Sequence, residues 1–90
     1  MEEYFIYTFT STHGAIATEK LLKSIGCMVM PVPRQISASC GISVRITPDK
    51  FAAASELFKE KTDLSDEEFE IYHITRSTAD GTIKFDKVAK

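Results

Sequence analysis

Ninety residues, 43% hydrophobic and 27% charged with a formal net charge of -2, describe one small globular domain with a modest core. The basic residues are scattered, no apolar run is long enough to span a bilayer, and the acidic start Met1-Glu2-Glu3 precedes no leader-like apolar segment with a small-residue cleavage site. The expectation is a cytoplasmic protein with reduced thiols that binds neither nucleic acid nor membrane.

Residues 4–9, Tyr-Phe-Ile-Tyr-Thr-Phe, are aromatic or β-branched on both faces and predict a central strand, β1. Ser11 or Thr12 can cap a helix, α1, whose apolar positions Ala17, Leu21, Leu22 and Ile25 recur at helical spacing before Gly26 stops it. Residues 27–32 form a second apolar strand, β2, ended by prolines that cannot donate to a ladder. After a polar loop, Ile42, Val44 and Ile46 alternate with Ser43, Arg45 and Thr47 as β3, the second set facing an uncovered sheet surface. Thr47-Pro48-Asp49 opens a helix, α2, with Phe51, Ala54, Ser55 and Phe58 on one face. Phe69, Ile71 and His73 alternate with Glu70, Tyr72 and Ile74 as β4, which makes His73 a core or sheet-face histidine. Residues 77–90 form an extension to a domain of residues 1–76; Asp80-Gly81 either turns a hairpin into residues 82–85 or the segment is a mobile tail.

The order βαββαβ predicts an α+β, ferredoxin-like sandwich: a four-stranded antiparallel sheet with two helices on one face, and an extra C-terminal strand if the hairpin forms. Right-handed crossover then brings the β1–α1 and β2–β3 loops to one end of the sheet. Ser11, Thr12, His13 and Gly14 are expected there beside Arg34 and Cys40. Cys27, the other cysteine, falls at the opposite end, roughly 16 Å away at the strand rise, too far for a disulfide to Cys40.

That loop end is where chemistry is expected. Cys40 follows the polar stretch Arg34-Gln35-Ile36-Ser37-Ala38-Ser39 and precedes Gly41, whose missing side chain leaves the backbone free to present sulfur. A helix N-terminus and a nearby cation favour a thiolate, and α1, Arg34 and His13 are candidates for both; Ser11 and Ser39 can donate to an anion beside the thiol. Plainer roles compete: a cysteine filling space, His13 joining the α1 cap, Arg34 in water, serines shaping turns. Cys27, opening an apolar run, reads as structural. The two cysteines and two histidines contain no short-spaced ligand pair, and no glycine-rich phosphate loop or nucleophile elbow occurs, so neither metal nor cofactor is expected.

Phe9-Thr10-Ser11-Thr12-His13 with Ala15, then Glu19-Lys20-Leu21-Leu22, and above all Pro31-Val32-Pro33-Arg34 followed by Ser39-Cys40-Gly41, resemble a family of small bacterial selenium/sulfur carrier-like proteins over residues 4–60. The resemblance implies that Cys40 carries sulfur as a persulfide, or selenium as a selenosulfide, from a donor such as a cysteine desulfurase to an acceptor protein. His13, Arg34 and Gly41 match the pattern without an assigned role. Such a carrier is expected to show its thiol on an exposed loop and to need partners rather than turn over alone. The competing expectation is a binding or regulatory module whose loop and open sheet face hold a small molecule or protein, with Cys40 merely packing. A redox switch through a Cys40–Cys40 disulfide ranks behind both, and the β2 edge or open face allows a homodimer.

Overall fold

In the computed structural model, which describes residues 2–34, 36 and 40–89, the aromatic run becomes the central strand β1 (Glu2–Phe9). It pairs with β3 (Ile42–Ile46) on one side and β4 (Phe69–Arg76) on the other. β2 (Met28–Pro31) lies beyond β3 and β5 (Ile83–Lys87) beyond β4, so the sheet order is β2-β3-β1-β4-β5 with every neighbouring pair antiparallel. α1 (Thr12–Leu22) connects β1 to β2, and α2 (Pro48–Lys61) connects β3 to β4.

Local chemistry sets the helix ends. Of the two available caps α1 uses Ser11, whose extended backbone lets its hydroxyl accept the Gly14 N–H at 3.3 Å. It closes where the Ile25 and Gly26 N–H groups both donate to Leu22 O, each at 3.0 Å, with Gly26 at φ 103°, a conformation costly for any residue with a Cβ. α2 starts at Pro48 after Thr47 and ends where the Thr62 N–H donates to Phe58 O at 2.9 Å.

The sheet buries both faces, unequally. Toward the helices, Phe5 stacks on Phe51 with ring centroids 3.8 Å apart, Tyr7 meets Phe58 at 4.9 Å, and Phe58 meets Phe69 edge-on at 4.7 Å. His73 takes the sheet-face place its alternation implied, stacked on Phe5 at 4.7 Å with Nε2 3.1 Å from Glu3 Oε1. The other face was expected to be open. Instead Tyr4, Ile6, Ile74 and the loop residue Ile36 are buried together there, ringed by Met30, Val32, Tyr72 and Ile83.

Other expectations change at single positions. Ala17 is exposed; the buried side of α1 is Gly14, Ala15, Thr18 and Leu22, because the helix starts at Thr12 and turns that stripe inward. A Cβ at Gly14 would meet Phe9 Cδ1 of β1 and Leu64 Cδ1 of the α2–β4 connection at 3.4 Å, at the limit of ordinary contact. Ser43 is fully buried rather than presented to solvent or a partner, since its hydroxyl donates to Met30 O at 3.0 Å. Arg45 stays half-buried on that face, its guanidinium 4.4 Å above the Tyr4 ring and 3.6 Å from Glu2. The C-terminal strand runs Ile83–Lys87, with Ile74 opposite Phe85.

Tyr7 gives this core a measurable alkaline limit. Burial pushes its hydroxyl up to about 12 from 10.0, an effect the neighbouring Ser55 hydroxyl partly offsets. The unfolded chain ionises first, so the contribution of neutral Tyr7 is complete below pH 10.0 and lost as pH rises toward about 12. Tyr7→Phe is expected to lose less stability than wild type across that window in urea melts at stepped pH. Parallel curves for the two proteins would refute this origin.

Candidate functional site

β1 ends, β3 begins and α1 begins at the same end of the sheet, and Cys40 lies among them. Its N–H donates to Phe9 O at 3.2 Å, tying the loop to the last residue of β1. Its Sγ accepts the Ile42 N–H at 3.4 Å and lies 3.7 Å from the hydroxyl of Thr12, the first residue of α1. The Val32 N–H donates to Gly41 O at 3.0 Å and joins the two stems of the loop. A sulfur placed this way meets one backbone N–H donor, a hydroxyl able either to donate or to accept, and the positive end of a helix dipole.

The expected exposure of this sulfur is corrected. Cys40 is only 5% exposed and belongs to the same buried cluster as Phe9, Val44, Phe58 and Phe69. The reason is parity. Cys40 shares the phase of Ile42, Val44 and Ile46, which point toward the helices, and it is the exposed Gly41 that faces out. A methyl group at Gly41 would meet nothing within 4 Å, so close packing does not require glycine there.

The other sequence candidates scatter around this point. Ser11 spends its hydroxyl on the α1 cap. His13 is exposed and lines a cleft of about 350 Å³ beside α1 and the end of α2, together with Lys20, Leu21, Lys61, Asp63 and Leu64. Arg34 is exposed in the turn after β2. Among the described residues, the hydrogen-bond partners of the sulfur are Thr12 and Ile42, and neither His13 nor Arg34 is one of them. Ser39 lies outside the described residues. Thr12 gave one usable signal, its place next to the cap; Ile36 gave only that of a single large apolar residue in a polar loop.

Cys27 is a different thiol. It is free, as Cys40 is, but its Sγ lies 3.7 Å from Glu19 O, a carbonyl that accepts and cannot donate. Burial, then the Glu19 charge, pushes its pKa up, so the neutral thiol is favoured. Among the described residues no group of three or more His, Cys, Asp or Glu side chains could hold a metal ion. Among the described residues no helix is long and apolar enough to cross a membrane.

The model of the family described as putative Se/S carrier protein-like matches residues 3–75, from β1 to the end of β4. Searches of curated proteins and of solved structures returned no match.

Proposed function

The chain belongs to the putative Se/S carrier protein-like family, and from that premise we propose that Cys40 carries sulfane sulfur, or selenium in its place, from a donor enzyme to an acceptor protein. The observation that carries this reading is the position of Sγ at the first turn of α1, 3.4 Å from the Ile42 N–H and 3.7 Å from the Thr12 hydroxyl. A persulfide is a stronger acid than a thiol and is largely anionic near neutral pH. The donors around Cys40 suit such an anion, whereas the Glu19 side of Cys27 opposes one.

Loading balances without an external oxidant. The Cys40 thiolate attacks the outer sulfur of a persulfide on the donor, a cysteine desulfurase being the donor class. One S–S bond forms, the donor's S–S bond breaks, and the donor cysteine leaves as a thiolate that takes up the proton Cys40 released. Delivery is the same exchange with an acceptor thiol, and a selenosulfide follows the same course. Because Cys40 is buried, exchange requires the segment around it to open, parting the Cys40–Phe9 and Val32–Gly41 backbone bonds. In this reading residues 1–76 are the carrier unit, a ferredoxin-like sandwich in its first four strands, residues 77–90 add an edge strand, and the setting is the reducing cytoplasm.

Burial of Cys40 also favours a second reading, a binding module in which the thiol only packs. One experiment separates the two. After incubation with a cysteine desulfurase and free cysteine, non-reducing intact-mass spectrometry is expected to show one added sulfur on wild type and Cys27→Ser, and none on Cys40→Ser. Sulfur added equally to Cys40→Ser, or to neither cysteine of a folded and reduced wild type, removes the carrier reading.

A further inference from the structure

The sheet has two edges of opposite character. β5 exposes Lys84, Asp86 and Lys87, the charged pattern that keeps an edge strand from pairing. β2 carries no charge at all in Met28-Val29-Met30-Pro31, and leaves Met28 60% and Val29 42% exposed. Exposed apolar side chains on an uncharged edge strand are the combination that natural sheets otherwise suppress.

The hydrogen-bond phase of β2 decides what can pair with it. The Val32 N–H bonds to Gly41 O, and Val32 opposite Gly41 continues the β2–β3 register in which Met30 faces Ser43 and Met28 faces Arg45. Antiparallel ladders alternate, so Met28 and Met30 spend their backbone groups on β3 while those of Cys27, Val29 and Pro31 point away from it. Pro31 has an outward carbonyl and no N–H.

From this phase we propose that β2 pairs antiparallel with β2 of a second copy of this chain, about a two-fold axis at Val29. Val29 of each copy exchanges N–H and C=O with Val29 of the other. The Cys27 N–H of each donates to Pro31 O of the other, so the missing proline donor falls at the rim instead of the centre. Met28 of one copy lies beside Met30 of the other on the face away from the helices, and the two Val29 side chains meet on the helix face. A two-fold interface demands a self-complementary surface, and an uncharged strand with this donor pattern meets that demand with no like charges opposed. The Cys40 ends of the two copies point in opposite directions, so this dimer is not a Cys40–Cys40 disulfide. It stands independently of the carrier reading.

The test is light scattering with size exclusion over a concentration series in reductant. Wild type is expected to approach twice its 10.1 kDa mass as concentration rises. Val29→Pro, which removes only the outward N–H, and Val29→Lys, which adds a charge at the axis, are expected to stay at 10.1 kDa with unchanged circular dichroism. Hydrogen exchange on wild type needs no variant: the Val29 and Cys27 amides are expected to slow about tenfold or more between dilute and concentrated samples. A wild type that stays monomeric at every concentration, a dimer that survives both substitutions, or outward amides that exchange equally fast throughout would overturn the proposal.

Discussion

Ile36→Asp, made in a Cys27→Ser background so that the signal reports one thiol, is expected to alkylate at Cys40 at least about tenfold faster than its parent. Ile36 is 6% exposed and packs with Tyr4, Ile6 and Ile74 on the face away from the helices, while Cys40 packs on the helix face. Ile36 and Cys40, only four positions apart in the chain, are therefore buried on opposite faces of the sheet, and exposing Cys40 is expected to work against the Ile36 contact. Burying such a side chain contributes about 1.5–3 kcal/mol, and each 1.4 kcal/mol withdrawn from the closed state raises the open population tenfold. Aspartate also cannot occupy that site without partners, so a stability loss of about 2–4 kcal/mol is expected alongside. Iodoacetamide kinetics and urea melts read the two effects separately. Lower stability with an unchanged alkylation rate in native buffer would mean that Ile36 holds the sheet face and has no hold on the thiol.

The largest single loss of stability is expected from Phe58→Ala, about 3–5 kcal/mol. Its ring is fully enclosed between Tyr7 at 4.9 Å and Phe69 at 4.7 Å, and so connects α2 to both β1 and β4. Alanine leaves a void that neither strand can close, because both are held in a ladder running from Glu2 opposite Arg76 to Phe9 opposite Phe69. Against a usual total of about 5–15 kcal/mol, such a loss brings a small domain close to unfolding. The urea midpoint is expected to fall with the slope unchanged. A shift below about 1 kcal/mol would show that neighbouring rings refill the space.

What the sequence made legible followed periodicity. The strand phases of β1, β3 and β4, the start of α2 and the nearness of the α1 N-terminus to Cys40 all come from spacing-two or helical patterns with clear caps. The burial of Cys40 was legible too, from its phase with Ile42 and Val44, but the polar loop before it pointed toward exposure. Ala17 misled because an alanine fits either side of a helix, and the inward stripe runs through the polar Thr18. Ser43 looked solvent-facing because its carbonyl partner, Met30, belongs to a different strand. Ile36 had no period to betray it, and its buried partners Tyr4, Ile6 and Ile74 lie on β1 and β4, far from it in sequence. The place of His13 in the cleft with Lys61 and Asp63 likewise depends on where α2 ends.

The charges on β5 decide whether association can stop. Sheet extension becomes open-ended when both rims of a sheet accept a neighbour, since each added molecule then offers a fresh rim. Here β4 would be the second rim without β5, and β5 covers it with a strand whose Lys84, Asp86 and Lys87 discourage further addition. Lys87 lies 3.6 Å from Glu70 of β4, which helps hold the cover in place. Among the described residues β2 is the uncharged rim, so pairing through it would leave only the charged β5 rim, and growth would terminate at a finite particle instead of a fibre.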